Sequence, residues 1–353
     1  MKILMICDFF PNKYKPYEGT FFLNHAKVLR KIGKVKVQTL IRVDKIMFSY
    51  EKWNIEDIEA EAIAFFYKIG YGFIFFPLAI IFQFLLTLKN LILFRPDRII
   101  LQMALPHGLA LIPFRFFKKI IILEHSCDVF NNISKFTYKI YNNLYVVSTF
   151  QKEEIEKKLK VKVKGIIPNP IFETNLKSDV NLKNRVICVG TITEGKDQLL
   201  LLETAKILNN IKFVFVGKNF NDDYYKKFLN LASKLKNVVY LGPKDHNETL
   251  NEILNSDLLI STSKYETFGL AIAEALSLGK PVVWIDSGGP RDFLNEKNSI
   301  LVRERNPFAL KDNIIQAYEK LKKGYFDPKE IKKSIFEYCG EEKVINFYKT
   351  ALY

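Results

Sequence analysis

Short apolar runs rich in β-branched residues recur along the chain, separated by stretches in which apolar positions return every three or four residues. The runs are KILMIC (2–7), VKVQTLI (35–41), DRIILQM (97–103), KIIILEH (119–125), LYVVS (144–148), RVICVG (185–190), KFVFVG (212–217), NVVYLG (237–242), DLLIST (257–262) and PVVWID (281–286). They lack strict polar alternation, as do strands buried on both faces of a parallel sheet. Between them, Phe22, His25, Ala26, Leu29 and Arg30, or Leu199, Leu202, Ala205, Ile207 and Leu208, fall at helical spacing. Strand and helix alternating from end to end predict βα units and an α/β class. The first run has only about five apolar residues before Asp8, too few for a signal peptide's hydrophobic region, and reads as a buried strand.

The pattern breaks twice. Near 168–184, PNP leads into the polar stretch ETNLKSDVNLKN before strand periodicity restarts at Arg185, which predicts two Rossmann-like domains in tandem. A ligand of such a pair is expected in the cleft between them, at the carboxyl ends of the strands. The second break is 69–88, IGYGFIFFPLAIIFQFLLTL, 20 residues without a charge between Lys68 and Lys89. Its length suits a membrane span. Pro77, Gly70, Gly72, Gln83 and Thr87 argue against one, as does its place between early strands of one sheet. Two readings stay open: a core helix against the first sheet, and a monotopic helix in one leaflet, to which Lys68, Lys89, Arg95, Arg98, Lys118 and Lys119 would draw anionic headgroups.

Composition narrows the classes. The 353 residues are 48% hydrophobic and 26% charged, too apolar for disorder and long enough for two cores. Cys7, Cys127, Cys188 and Cys339 are scattered, so neither a disulfide framework nor a zinc cluster is indicated and a reducing, cytoplasmic setting is expected. The net charge of +15 is uneven: Met1–Pro170 holds 26 Lys and Arg against 14 Asp and Glu, and the remainder 27 against 24. Something anionic is expected to face the first half, whether a membrane, a phosphate or a nucleic acid.

Candidate chemistry concentrates at 261–290, STSKYETFGLAIAEALSLGKPVVWIDSGGP. Glu266 and Glu274 are separated by seven residues and flank a helix predicted from about Gly269 to Leu278, near one face of it. The unpaired N–H groups at the start of that helix suit an anion, and a carboxylate suits a vicinal diol because it accepts two hydroxyl donors. Two carboxylates beside an anion-binding turn fit a sugar nucleotide.

The strings Glu266-Thr-Phe-Gly-Leu, Glu274-Ala-Leu, Gly279-Lys-Pro-Val and Gly288-Gly-Pro resemble the signature of the family-4 nucleotide-sugar glycosyltransferases, retaining enzymes of the GT-B fold (glycosyl transferases group 1). FFPNKYKPYEGTFFLNHAKVLRKIGKVKV (9–37), EHSCD (124–128), VSTFQKEEI (147–155), GIIPNP (165–170), VGTITEGKDQLLLLETAKIL (189–208) and FVFVGK (213–218) follow in that family's order, so the likeness covers nearly the whole chain. It implies an acceptor-side domain over 1–170, a donor-binding domain over 171–335 and a terminal helix over 336–353 returning to the first domain. It also implies that Glu274 holds the donor ribose and Glu266 the transferred sugar. The amides of Phe268, Gly269 and Leu270 would meet the sugar or diphosphate, Lys196 would neutralise the leaving diphosphate, and Gly19 would approach it by its backbone. His125 is placed near the reacting sugar; His107 is assigned a structural or acceptor-side role.

Departures from the pattern mark where the likeness thins. Thr191 follows Gly190 where many members carry arginine, so a hydroxyl replaces a cation, and Arg291 is the candidate substitute. Glu18-Gly19-Thr20 supplies one glycine where two adjacent ones are common. No GxGxxG follows a strand, GTITEGKD has Asp197 where a P-loop needs Ser or Thr, Asp222-Asp223 is not a spaced metal pair, and the four histidines are unclustered. No metal and no cofactor are expected, the nucleotide sugar being a substrate, and nucleic acid is not an expected partner because the aromatics read as packing. The resemblance thus implies a retaining, metal-independent glycosyltransferase. It would move a sugar from a nucleotide-sugar donor to a saccharide or lipid-linked saccharide acceptor in surface polysaccharide synthesis, in the cytoplasm and peripherally on the inner face of an anionic membrane. The rivals are a sugar-nucleotide epimerase of the same fold and a non-catalytic membrane-associated binding protein.

Overall fold

The computed structural model describes residues 1–43, 48–66, 72–116, 119–126, 132–174, 176 and 182–353, with backbone alone at 72–75. The chain forms two compact units, Met1–Pro170 with Glu341–Tyr353, and Ile171–Gly340.

In the first unit the order is β1 (Lys2–Cys7), α1 (Thr20–Arg30), β2 (Lys34–Val43), β3 (Phe48–Ile55), β4 (Ile58–Phe66), α2 (Gly72–Leu93), β5 (Arg98–Gln102), α3 (His107–Ala110), β6 (Lys119–Glu124), α4 (Asn132–Tyr141), β7 (Leu144–Val146), α5 (Thr149–Leu159) and β8 (Gly165–Ile166). The sheet runs β3-β4-β2-β1-β5-β6-β7-β8 and is parallel except for β3, antiparallel to β4. That hairpin departs from the all-parallel expectation. FSYEKWNI alternates between exposed and half-buried positions along an edge, so it lacks the apolar run of a central strand. In β1 every residue after Lys2 is buried, and Leu4, Ile6, Ile99, Leu101, Ile120 and Ile122 build one continuous core with Tyr138.

α2 is displaced from the 69–88 reading: it runs to Leu93, with Pro77 in its second turn, and 69–71 lie outside the described residues. Its inward face is tied to the sheet by polar groups. Gln38 Nε2 donates to Thr87 Oγ1 (2.8 Å), and Asn90 Nδ2 donates to Gln38 Oε1 (2.8 Å) and Glu61 Oε1 (2.6 Å). The fully buried Glu61 carboxylate is neutralised by Lys36 and Lys89, without which burying it would be prohibitive.

The second unit comprises β9 (Arg185–Val189), α6 (Gln198–Ile207), β10 (Lys212–Val216), α7 (Asp223–Ala232), β11 (Val238–Tyr240), α8 (His246–Leu254), β12 (Leu258–Ser261), α9 (Leu270–Ser277), β13 (Val282–Ile285), β14 (Ser299–Val302), α10 (Pro307–Lys322) and α11 (Pro328–Cys339). Its fully parallel order β11-β10-β9-β12-β13-β14 is the doubly wound arrangement, whose direction reverses between β9 and β12. The chain re-enters the first unit at Glu341, five residues after the expected 336. The reason is α11: Ile331, Ile335 and Cys339 are buried and Tyr338 stacks on Phe268, keeping that helix in the second unit. α12 (Glu341–Leu352) then packs on α1, where Tyr348 hydroxyl and His25 Nδ1 are 2.8 Å apart.

Candidate functional site

At the β9/β12 reversal the two loops that leave the sheet meet. After β9, Gly190 and Thr191 lead into a tight turn in which Lys196 and Asp197 amides both donate to Thr193 carbonyl, and Asp197, at φ 52°, starts α6 with no side-chain cap. Gln198 Nε2 holds Thr191 carbonyl at 2.9 Å. After β12, Thr262 Oγ1 donates to Lys196 carbonyl (2.9 Å) and Lys264 amide to Gly195 carbonyl (2.8 Å). These bonds place Lys196 Nζ on Glu266 Oε1, which also accepts from Ser263 Oγ at 2.7 Å. Two residues assigned from the sequence, 70 positions apart, thus form an ion pair at the carboxyl ends of adjacent strands.

Glu266 is fixed by its backbone as well: its amide donates to Ser287 carbonyl (2.7 Å) and its carbonyl accepts from Gly289 (2.9 Å), so the Gly288-Gly-Pro loop serves as its support. Arg291, the candidate substitute for the cation after Gly190, is engaged by Asp286. Its guanidinium is forked onto the Asp286 carboxylate at 2.6–2.9 Å, from within the short helical turn Gly289–Asp292. The arginine that reaches this end is Arg305, which donates to Asp197 Oδ2 (2.8 Å) and to the carbonyls of Thr262 (2.7 Å) and Ser263 (3.0 Å). No pattern around Arg305 in the sequence announces this.

Gly269 is the N-cap of α9 at φ 90°, and no side chain caps the helix. A Cβ there would lie 2.8 Å from Pro290 Cγ, so only glycine closes this turn and leaves the first amides, at Leu270 and beyond, without an internal acceptor. Phe268 is buried against Phe293 and Tyr338; its side chain anchors the loop. One turn on, Glu274 lies 3.6 Å from His246 Nδ1 with its side chain 18% exposed, and burial pushes its carboxyl up to about 7. Glu266 and Glu274 therefore have different partners, Lys196 for one and His246 for the other. His246 opens α8 after the Asp245 capping box, a signature readable in the sequence.

Gly19 and His125 belong to the first unit. Gly19 is the uncapped N-cap of α1 at φ 76°, closed over by Phe9, whose carbonyl oxygen would be 2.5 Å from a Cβ. His125, just after β6, packs against Phe21, Phe22 and His25 of α1 at ring distances of 5.2–5.3 Å. Its Nε2 meets Gln102 Oε1 (2.6 Å), Gln102 Nε2 donates to Tyr348 hydroxyl (3.2 Å), and Tyr348 meets His25 Nδ1, whose Nε2 meets Asn169 Oδ1 (2.9 Å). With amide oxygens as acceptors at both ends, every proton in the chain is assigned: each histidine carries its proton on Nε2, and Nδ1 of His125 keeps a lone pair. Burial pushes His25 down to about 4, and burial beside His25 holds His125 well below the ordinary imidazole range. Both are neutral at pH 7. At the β1/β5 reversal of this unit, His107 Nε2 and Asp8 Oδ1 are 3.2 Å apart and Arg42 also holds Asp8; the 127–131 stretch after His125 lies outside the described residues.

Residues 173–324 match the family model described as Glycosyl transferases group 1. The chain is 28% identical over 233 residues to an uncharacterized glycosyltransferase of Methanocaldococcus jannaschii, covering 58% of this chain and 59% of that protein. It is 23% identical over 363 residues to the putative teichuronic acid biosynthesis glycosyltransferase TuaC of Bacillus subtilis, covering 89% and 88%. The alignments with the first curated relatives span 59%, 51% and 36% of those proteins, about half their length. Among solved structures, Anabaena Alr3699/HepE in complex with UDP and glucose matches with a TM-score of 0.73 at 16% identity, covering 100% of this chain and 99% of that one. The second unit carries the match to the glycosyl transferases group 1 model, and the chain as a whole has the two-domain α/β GT-B fold.

Proposed function

We propose that the protein is a retaining glycosyltransferase that moves a sugar from a nucleotide-sugar donor to a hydroxyl acceptor without a metal ion. The observation that carries the reading is the Lys196–Glu266 pair at the β9/β12 reversal, within the group 1 region that also holds the uncapped start of α9. In this reading Glu274 accepts the ribose hydroxyls and Glu266 the hydroxyls of the transferred sugar. Lys196 and the amides at Phe268, Gly269 and Leu270 take the growing charge of the diphosphate as it leaves, which lowers the barrier because that charge develops only in the transition state. Thr191 offers a hydroxyl there, and Lys196 shares the load with the dipole of α9. Gly19 keeps its assignment to the diphosphate by its backbone, and the neutral His125 its assignment near the reacting sugar.

The bond from the anomeric carbon to the diphosphate oxygen breaks, the acceptor oxygen bonds to the same face of that carbon, and its proton passes to the departing phosphate. The bound UDP and glucose of the Anabaena structure support a nucleotide-sugar donor. The putative teichuronic acid biosynthesis role of the Bacillus relative supports an acceptor in polysaccharide assembly. A panel of nucleotide sugars tested by thermal shift should give at least one stabilising donor, worth about 2.7 kcal/mol at roughly 100 times its Kd. Glu274→Ala should abolish that shift. Turnover with the hit should need an acceptor; a changed nucleotide sugar formed without one would assign epimerisation instead, and silence across the panel would remove the donor reading.

A further inference from the structure

The polarity of α2 is inverted. Gln83, Thr87 and Asn90, its uncharged polar residues, are fully buried against β2 and β4, while Ile81, Leu85, Ile92 and Leu93 are 50%, 51%, 61% and 69% exposed, and Leu78 and Leu88 extend the same stripe. A helix on the surface of a protein in water carries the opposite arrangement, and a continuous aliphatic stripe of this size marks a face that meets something apolar. The 18 residues Phe76–Leu93 are long and apolar enough to cross a membrane. The hydrogen bonds that Thr87 accepts from Gln38 and that Asn90 donates to Gln38 and Glu61 instead bind the helix along the sheet, so it presents one side rather than an end.

The surroundings indicate which apolar phase. Phe82 carries Phe48 beside it at 5.2 Å, and Phe48 is 67% exposed. Phe84 stacks on Phe114 at 5.2 Å, and the chain continues into Arg115, whose guanidinium lies 4.3 Å from the ring of Phe116, 79% exposed. Between 72 and 119 the sequence has, besides Lys89 held by Glu61, the basic residues Arg95, Arg98, Arg115, Lys118 and Lys119 against one acid, Asp97, which accepts from the Lys2 amide. A second copy laid on this stripe would bring two such basic sets together. A layer of anionic headgroups would neutralise them.

We propose that the outward face of α2 docks the protein on an anionic lipid surface, the helix lying in the interfacial plane with its aliphatic stripe at the acyl boundary and the flanking aromatic and basic side chains among the headgroups. Unlike the donor reading, this inference uses no residue of the second unit, so each can fail alone.

The test is flotation of the full chain with vesicles of phosphatidylcholine, with and without phosphatidylglycerol, at low salt. The wild type should float with the anionic vesicles and less with the neutral ones. Ile81→Asp with Leu85→Asp, both at exposed positions, should lower partitioning about tenfold or more while leaving the melting temperature and donor-induced shift unchanged. Arg95→Glu with Arg115→Glu should remove the preference for anionic lipid. The proposal is overturned if the wild type floats with neither vesicle, if Ile81→Asp with Leu85→Asp floats equally well, or if those substitutions only dissociate a dimer of a protein that ignores vesicles.

Discussion

Glu274 shows how a single burial sets a measurable property. Its carboxyl, ordinarily near 4.5, is pushed up to about 7 by burial alone. In the unfolded chain it ionises at the lower value, so the folded protein loses stability as pH rises from 4.5 to 7 and the loss is complete above that. Glu274→Gln removes the penalty. The variant should be more stable than wild type by about 1–3 kcal/mol at pH 8, with the gain shrinking towards pH 5. Urea denaturation at the two pH values decides it, a pH-independent difference excluding burial as the cause. The same titration bears on function: a ribose diol needs an acceptor carboxylate, so donor affinity should improve over the window in which Glu274 ionises.

At the scale of elements, the start of α9 combines a left-handed N-cap at Gly269 with a Pro290 ring packed where a Cβ would sit. Gly269→Ala should therefore cost about 1–3 kcal/mol, read as a lower denaturation midpoint of the second unit, and should weaken donor binding by displacing the α9 amides. An alanine variant with wild-type stability would show that the loop yields. The motif around this turn was legible because all its parts lie within thirty residues: Glu266, the Gly269 cap, Glu274 and the supporting Gly288-Gly-Pro loop. Arg305 was not, since its partners Asp197, Thr262 and Ser263 are distant in sequence and a lone arginine before a helix carries no pattern. β3 was missed for a related reason: an edge strand with half-exposed alternation has too little apolar content to stand out.

Across the whole molecule, acid acts in opposite senses on the buried histidines of the first unit and on Glu274 of the second. In the first, buried His25 and His125 are depressed below the ordinary value of 6.5. Their contribution to stability is present above 6.5 and is lost as pH falls towards 4. In the second, acid protonates Glu274 and relieves it. The chain has two tryptophans, Trp53 in one unit and Trp284 in the other, so Trp284→Phe and Trp53→Phe leave one reporter each. Between pH 6.5 and 4.5 the Trp53 transition should move to lower urea while that of Trp284 holds or rises; coincident transitions with the same pH dependence would show that the units unfold together. By itself the sequence determined the α/β alternation, the break at 170 and the residues at the start of α9, because local periodicity and short-range spacing encode them. Tertiary structure alone decided that Lys196 pairs with Glu266, that α12 brings Tyr348 to His25 across 323 positions, and that α2 turns its polar side inward. These depend on partners far apart in the chain, and an apolar helix reads the same in sequence whether its aliphatic stripe faces a core or a bilayer.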